Sequence, residues 1–184
     1  MREQFWKELN EARKENQPRF WENAFPEAAA IDMNCLVENN QYLSITGGEN
    51  SIIQQRPMIG PVQSDVHVKP IYTEWVTNFE RHGTETNWNA MFFFSLSDLH
   101  QAFEMHSDTE TVCLVQGYGD VGMIVGNAET SEKTIYHMKT GDALLLPPLT
   151  IHKPVPVGPR VTLSIGSMPN KFMPVTAAGQ HAQR

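Results

Sequence analysis

From Ala90 onward the chain is cut into short β-prone runs separated by turns, and this cadence restricts the fold more than any other property of the sequence. The runs are 90–96, 111–116, 121–125, 133–138, 143–146 and 161–165. Branched and aromatic side chains recur in them, and these suit a pleated, half-buried surface. The turns carry glycine, as in Gly117-Tyr118-Gly119-Asp120, Gly126-Asn127 and Gly141-Asp142. Strands this short at this spacing predict a mainly β sandwich or barrel.

The first third reads differently. Phe5, Trp6, Leu9 and Ala12 fall on one face at helical spacing, so the sequence predicts a helix over 2–15. An aromatic cluster follows at Phe20, Trp21 and Phe25, and Pro26 stops any helix there. Residues 27–38 read as a further helix. The stretch 40–70 is rich in Gly, Asn, Gln and Pro and reads as irregular. A helix is expected over 71–82 around Trp75, Val76 and Phe79. The expected organisation is an N-terminal helical and irregular region, 1–59, packed on a β-barrel at 60–168, with a polar, fraying tail at 169–184.

Composition excludes several classes. The chain has 184 residues, enough for one domain, and its 40% apolar content supports a real core. Net charge is −7, and no cluster of Lys and Arg is present to neutralise phosphates, which argues against nucleic acid. Cys35 and Cys113 are far apart, and Cys113 sits in a strand-like run, so a free core thiol is expected at Cys113 and no disulfide framework. The start has no apolar signal core, and no run approaches the length of a membrane span. A soluble, cytoplasmic protein without a membrane partner is the expectation.

Chemistry concentrates in three residues. In an extended segment, residues i and i+2 share a face, so His106 and Asp108 aim together. His152 ends the run Gly141-Asp-Ala-Leu-Leu-Leu-Pro-Pro-Leu-Thr-Ile-His152 and follows two prolines that cannot continue a central strand. Two imidazoles and a carboxylate hold a non-haem Fe(II), or another divalent metal, on one side and leave the other side open. Glu110 lies an even number of residues from His106, so periodicity leaves it as an alternative ligand to Asp108. His82, His100, His137 and His181 have no partner at ligand spacing, and His67, in the alternating run Asp65-Val-His-Val-Lys69, reads as a surface or core histidine. No Gly-x-Ser-x-Gly and no P-loop is present.

The stretch 104–166 resembles the cupin superfamily of double-stranded β-helix (jelly-roll) proteins. Its first motif spacing is met by His106, Glu110 and Gly117, and its second by Gly141, Pro147 and His152. Two positions depart: Leu149 stands where a Gly is usual, and Glu104 where a first His is usual. Within that superfamily the chain is similar to JmjC-like 2-oxoglutarate oxygenases, through His106-Ser-Asp108, Val112-Cys-Leu-Val-Gln116-Gly117, Gly141-Asp142…Pro147…His152 and Leu163-Ser-Ile165-Gly166. The resemblance implies a cupin-type β-helix with N-terminal helices. It also implies Fe(II) as cofactor and 2-oxoglutarate and O₂ as cosubstrates, with hydroxylation or demethylation of a small molecule or a protein side chain. Pairing into a homodimer is a further expectation from the superfamily.

One departure matters for the cosubstrate. Where many JmjC-like enzymes place a Lys for the distal carboxylate, this chain has Gly119, Asp120 and Val121. Arg160, shortly after His152, is the expected replacement, because a forked guanidinium suits a carboxylate; after Gly158-Pro159 it also fits a solvated loop. Asn89, Tyr118 and Tyr136 are further donor candidates, and Lys153 should point away from His152. The aromatic run Met91-Phe-Phe-Phe94 would wall either the site or the core. Without that Lys, a metal cupin lacking 2-oxoglutarate (a lyase, isomerase or dioxygenase) and a non-catalytic ligand-binding cupin remain as alternatives.

Overall fold

The computed structural model describes residues 2–38, 58–61, 68–82, 85–99, 102–126 and 132–169. The expectations for His67, His100, His181, most of 40–70 and the tail past 169 fall outside the described residues.

Helix α1 (Arg2–Glu15) buries Phe5, Leu9 and Ala12, with Glu3 in its first turn and Arg13 and Lys14 in its last. Those charges oppose the helix dipole at each end. The helix stops because Asn16 turns left-handed, at φ 54. The Gln17 N–H then bonds Ala12 O at 2.9 Å and the Asn16 N–H bonds Arg13 O at 3.1 Å, closing a Schellman cap. Strand β1 (Arg19–Trp21) follows. The helix expected over 27–38 is two pieces: a 3₁₀ turn at Pro26–Ala30 and a short helix α2 (33–38). Asp32 separates them, because its Oδ1 accepts the N–H groups of Asn34 and Cys35 at 2.8 and 3.0 Å and so caps the second piece. Helix α3 (Val68–His82) includes the expected 71–82.

The other strands are β2 (Met58–Pro61), β3 (Glu85–Ser95), β4 (Thr111–Gln116), β5 (Val121–Gly126), β6 (Lys133–Met138), β7 (Ala143–Leu146), β8 (Ile151–Pro156) and β9 (Arg160–Pro169). They form two antiparallel sheets, β1-β7-β4-β9-β3-β2 and β6-β5-β8. Strands β4, β6 and β7 have the bounds expected from sequence. Strand β8 is a correction: His152 lies within a strand, not at a bend. Pro154 and Pro156 hide it in the sequence, and they are tolerated because β8 is an edge strand of the smaller sheet.

Two cores result. One lies between the larger sheet and the helices. It joins Phe5, Leu9, Phe25 and Trp75 to Phe92, Phe94, Cys113, Val115, Leu145, Val161, Leu163 and Ile165. Phe5 meets Trp6, Trp21, Phe25 and Trp75 edge-on at centroid distances of 4.8 to 5.8 Å. The other lies between the sheets and joins Val112, Leu114, Leu144 and Leu146 to Val121, Met123, Val125 and Met138. Cys113 is a free thiol buried in the first core, as expected, and Cys35 is buried there too. No helix among the described residues is long and apolar enough to cross a membrane.

Candidate metal centre and cavity

The Gly141-Asp142 turn and the β7–β8 loop deliver His152. The Asp142 carboxylate accepts the N–H groups of Asn23 and Lys139 at 2.8 and 2.7 Å, pinning the start of β7 to the N-terminal segment. After Pro147 the backbone reverses through Leu149 at φ 64, a left-handed conformation that costs a branched residue strain. This is the position where the superfamily carries Gly. The strained turn presents the Leu149 N–H to Asp108 O at 2.7 Å.

His106 and His152 face one another across an isolated antiparallel bridge. The His106 N–H bonds His152 O at 3.0 Å and the His152 N–H bonds His106 O at 2.7 Å. The rings sit 4.3 Å apart between centroids. Each Nδ1 lies by the carbonyl two residues before it: His106 by Glu104 O at 2.7 Å and His152 by Thr150 O at 2.9 Å. An Nδ1–H donated to a carbonyl leaves the Nε2 lone pair free to bind. Asp108 Oδ2 lies 3.6 Å from His152 Nε2. One donor atom from each of His106, Asp108 and His152 lies within 4.8 Å of the others. Burial pushes the His152 imidazole below its ordinary range; the Thr150 carbonyl opposes this, His106 adds to it and Asp108 opposes it. The ring is thereby favoured as a neutral donor.

Glu110 stands apart from that group. Asn89 Nδ2 donates to its two oxygens at 3.3 and 3.1 Å, and the Gly166 N–H donates to Asn89 Oδ1 at 3.2 Å. A Cβ at position 166 would collide with both side chains. The chain bends at 109–110, so the even spacing from His106 does not carry Glu110 to the same point.

The three residues line a cavity of about 250 Å³. The run at 91–94 serves both surfaces: Met91 and Phe93 wall the cavity, while Phe92 and Phe94 belong to the helix-side core. Val112, Leu114, Met123 and Pro154 add apolar wall. Arg160 lines it as well, only 4% exposed, so the solvated-loop placement does not hold. It opens β9, and Val161, with the opposite phase, takes the core side. Burial lowers the guanidinium pKa to about 10. Its Nη1 donates to Thr162 Oγ1 at 2.6 Å, its Nε has no partner, and it makes no ion pair with an acid among the described residues.

Of the other donor candidates, Asn89 lines the cavity, Tyr118 is exposed, and Tyr136 packs on Phe20. Lys153 points away, as expected, and pairs with Glu104 at 2.7 Å. His137 is exposed on β6. Sequence reasoning missed Thr162. The signal was present, since Arg160, Thr162 and Ser164 alternate with Val161, Leu163 and Ile165 over the first six residues of β9.

Among solved structures the chain is similar to the Escherichia coli ribosomal oxygenase YcfD. Against YcfD in complex with cobalt and succinic acid the TM-score is 0.59 at 16% identity, over 93% of this chain and 52% of that one. Against another crystal structure of YcfD the TM-score is 0.55 at 16% identity, over 87% and 49%. The chain spans about half the length of the YcfD chains. No family model matches the sequence, and no curated protein does. The likeness shows the fold, a cupin-type double-stranded β-helix with N-terminal helices, as the two motifs imply.

Proposed function

We propose that this chain is a 2-oxoglutarate-dependent oxygenase of the hydroxylase type, with Fe(II) held by His106, Asp108 and His152. One observation carries the reading: a group of two imidazoles and a carboxylate shares a cavity with a buried guanidinium that has no acid partner among the described residues. The donor set fits the metal. Two Nε2 atoms and one carboxylate oxygen suit a divalent first-row ion and leave coordination positions for a chelating ligand. The cavity fits the cosubstrate, because an unpaired buried cation is costly until an anion reaches it. The likeness to YcfD, solved with cobalt and succinic acid, supports the reading at the level of fold.

Bound there, the metal would supply oxygen activation coupled to decarboxylation of the 2-oxo acid. The chain's own residues do the rest. The Glu104 and Thr150 carbonyls fix both imidazoles with Nε2 free. Arg160 binds the distal carboxylate. Met91, Phe93, Val112 and Leu114 keep water from the reacting atoms. Glu110 and Asn89 form a polar edge of the cavity where a substrate, a small molecule or a protein side chain, meets the site. Taking Glu110 as the carboxylate ligand in place of Asp108 would require it to leave Asn89. The test is to load the protein with Fe(II) and follow 2-oxoglutarate conversion to succinate, alongside 2-oxoglutarate binding to the Co(II) form. A loaded protein that neither binds nor converts 2-oxoglutarate refutes the assignment.

A further inference from the structure

We propose that Gln116 and Thr162 are positioning residues that lock the Arg160 guanidinium in the orientation that receives a carboxylate; the proposal rests on the 2-oxoglutarate reading above. All three side chains are buried, at 0%, 1% and 4% exposure for Gln116, Thr162 and Arg160. The hydrogen bonds among them have one consistent direction. Gln116 Nε2 faces three carbonyl oxygens, those of Tyr118 at 3.0 Å, Gly119 at 2.9 Å and Val161 at 3.4 Å. Only an amide nitrogen can satisfy that cluster, so Oε1 must point the other way. There it accepts the Thr162 hydroxyl at 2.7 Å. A threonine hydroxyl has one hydrogen. With that hydrogen committed to Gln116, Thr162 Oγ1 can only accept from Arg160, and it does so from Nη1 at 2.6 Å.

The turn after β4 is therefore the fixed end of the chain. Gly119 adopts φ +72 beside the Pro159 carbonyl, where a Cβ would collide with backbone. This turn aims the Tyr118 and Gly119 carbonyls at Gln116, and the order runs onward to Thr162 and to one edge of the guanidinium. The remaining edge keeps the Nε hydrogen, which has no hydrogen-bond partner among the described residues. A planar fork fixed along one edge presents its other donors as a preset pair for a carboxylate. The polar ligand contact is then made by Arg160, while Thr162 supplies no donor to the ligand.

The experiment uses the full chain loaded with Co(II) and two probes, 2-oxoglutarate and 2-oxopentanoate, which has the same carbon chain without the distal carboxylate. Affinities are measured by calorimetry and folding by thermal denaturation. Thr162→Val removes the relay at nearly constant shape and should weaken 2-oxoglutarate about tenfold, leave 2-oxopentanoate unchanged, and be restored by Thr162→Ser. Gln116→Met should give the same pattern and serves if the valine variant does not fold. In an Arg160→Met background, Thr162→Val should change neither affinity further. Equal weakening of both probes, no weakening of either, or an additive effect in the Arg160→Met background overturns the relay alone. A wild-type protein that binds the diacid no better than the monoacid overturns the relay and the 2-oxoglutarate reading together.

Discussion

The two faces of the six-stranded sheet are made by the same strands and differ in almost every other respect. On β9, Val161, Leu163 and Ile165 meet the helices, while Arg160, Thr162 and Ser164 face the cavity. On β3 the division runs Phe92 and Phe94 against Met91 and Phe93, and on β4 Cys113 and Val115 against Val112 and Leu114. The helix side is closed and apolar, with edge-on aromatic contacts at its centre. The cavity side holds a cation without an acid partner among the described residues and three donor groups that converge. The two-residue period of a strand separates packing from chemistry at no more than one residue's distance. Substitutions on one side should therefore change stability, and substitutions on the other should change ligand binding.

The sharpest test is Asp108→Ala, which should weaken metal binding by more than about 100-fold and leave the metal-free protein within about 0.5 kcal/mol of wild type. Metal content by mass spectrometry and urea denaturation read the two quantities. Glu110→Ala should retain the metal, and the reverse pattern would move the carboxylate ligand to Glu110. Next is Phe92→Ala on the closed face. It should destabilise by about 3–5 kcal/mol, with 2-oxoglutarate affinity unchanged in the folded protein. A large loss of affinity there would break the separation. Arg160→Met should do the opposite, lowering 2-oxoglutarate affinity at least about tenfold while leaving stability equal or about 1 kcal/mol higher, because a buried charge with no acid partner among the described residues is removed. The smallest effect is expected at Leu149→Gly. Relief of the left-handed backbone, less the entropy glycine loses on folding, should stabilise by about 0.5 kcal/mol, seen as a small rise in melting temperature.

Much of this architecture can be read from residues, and what cannot has local causes. Strands β4, β6 and β7 are legible because each is an unbroken run between turn residues. Strand β8 is not, because two prolines lie inside it and only its edge position permits them. The split at Asp32 was present as an N-cap residue but is easily overridden by the apolar residues on both sides. The metal group is legible as residue types and spacing, since His106 and Asp108 share a face and His152 follows a recognisable turn. The choice between Asp108 and Glu110 is not, because it depends on a bend at 109–110 and on Asn89, distant in sequence. Arg160 is legible as a charge near His152, whereas its burial depends on where β9 begins, one residue after Pro159.

The paired backbone hydrogen bonds between His106 and His152 have a practical corollary. They fix the spacing of two donor groups by main chain alone, so the barrel does not wait for an ion in order to close. An ion would come and go as a guest instead of serving as a keystone. A chelator should strip it without a change in circular dichroism, and fresh metal should refill the same place without refolding.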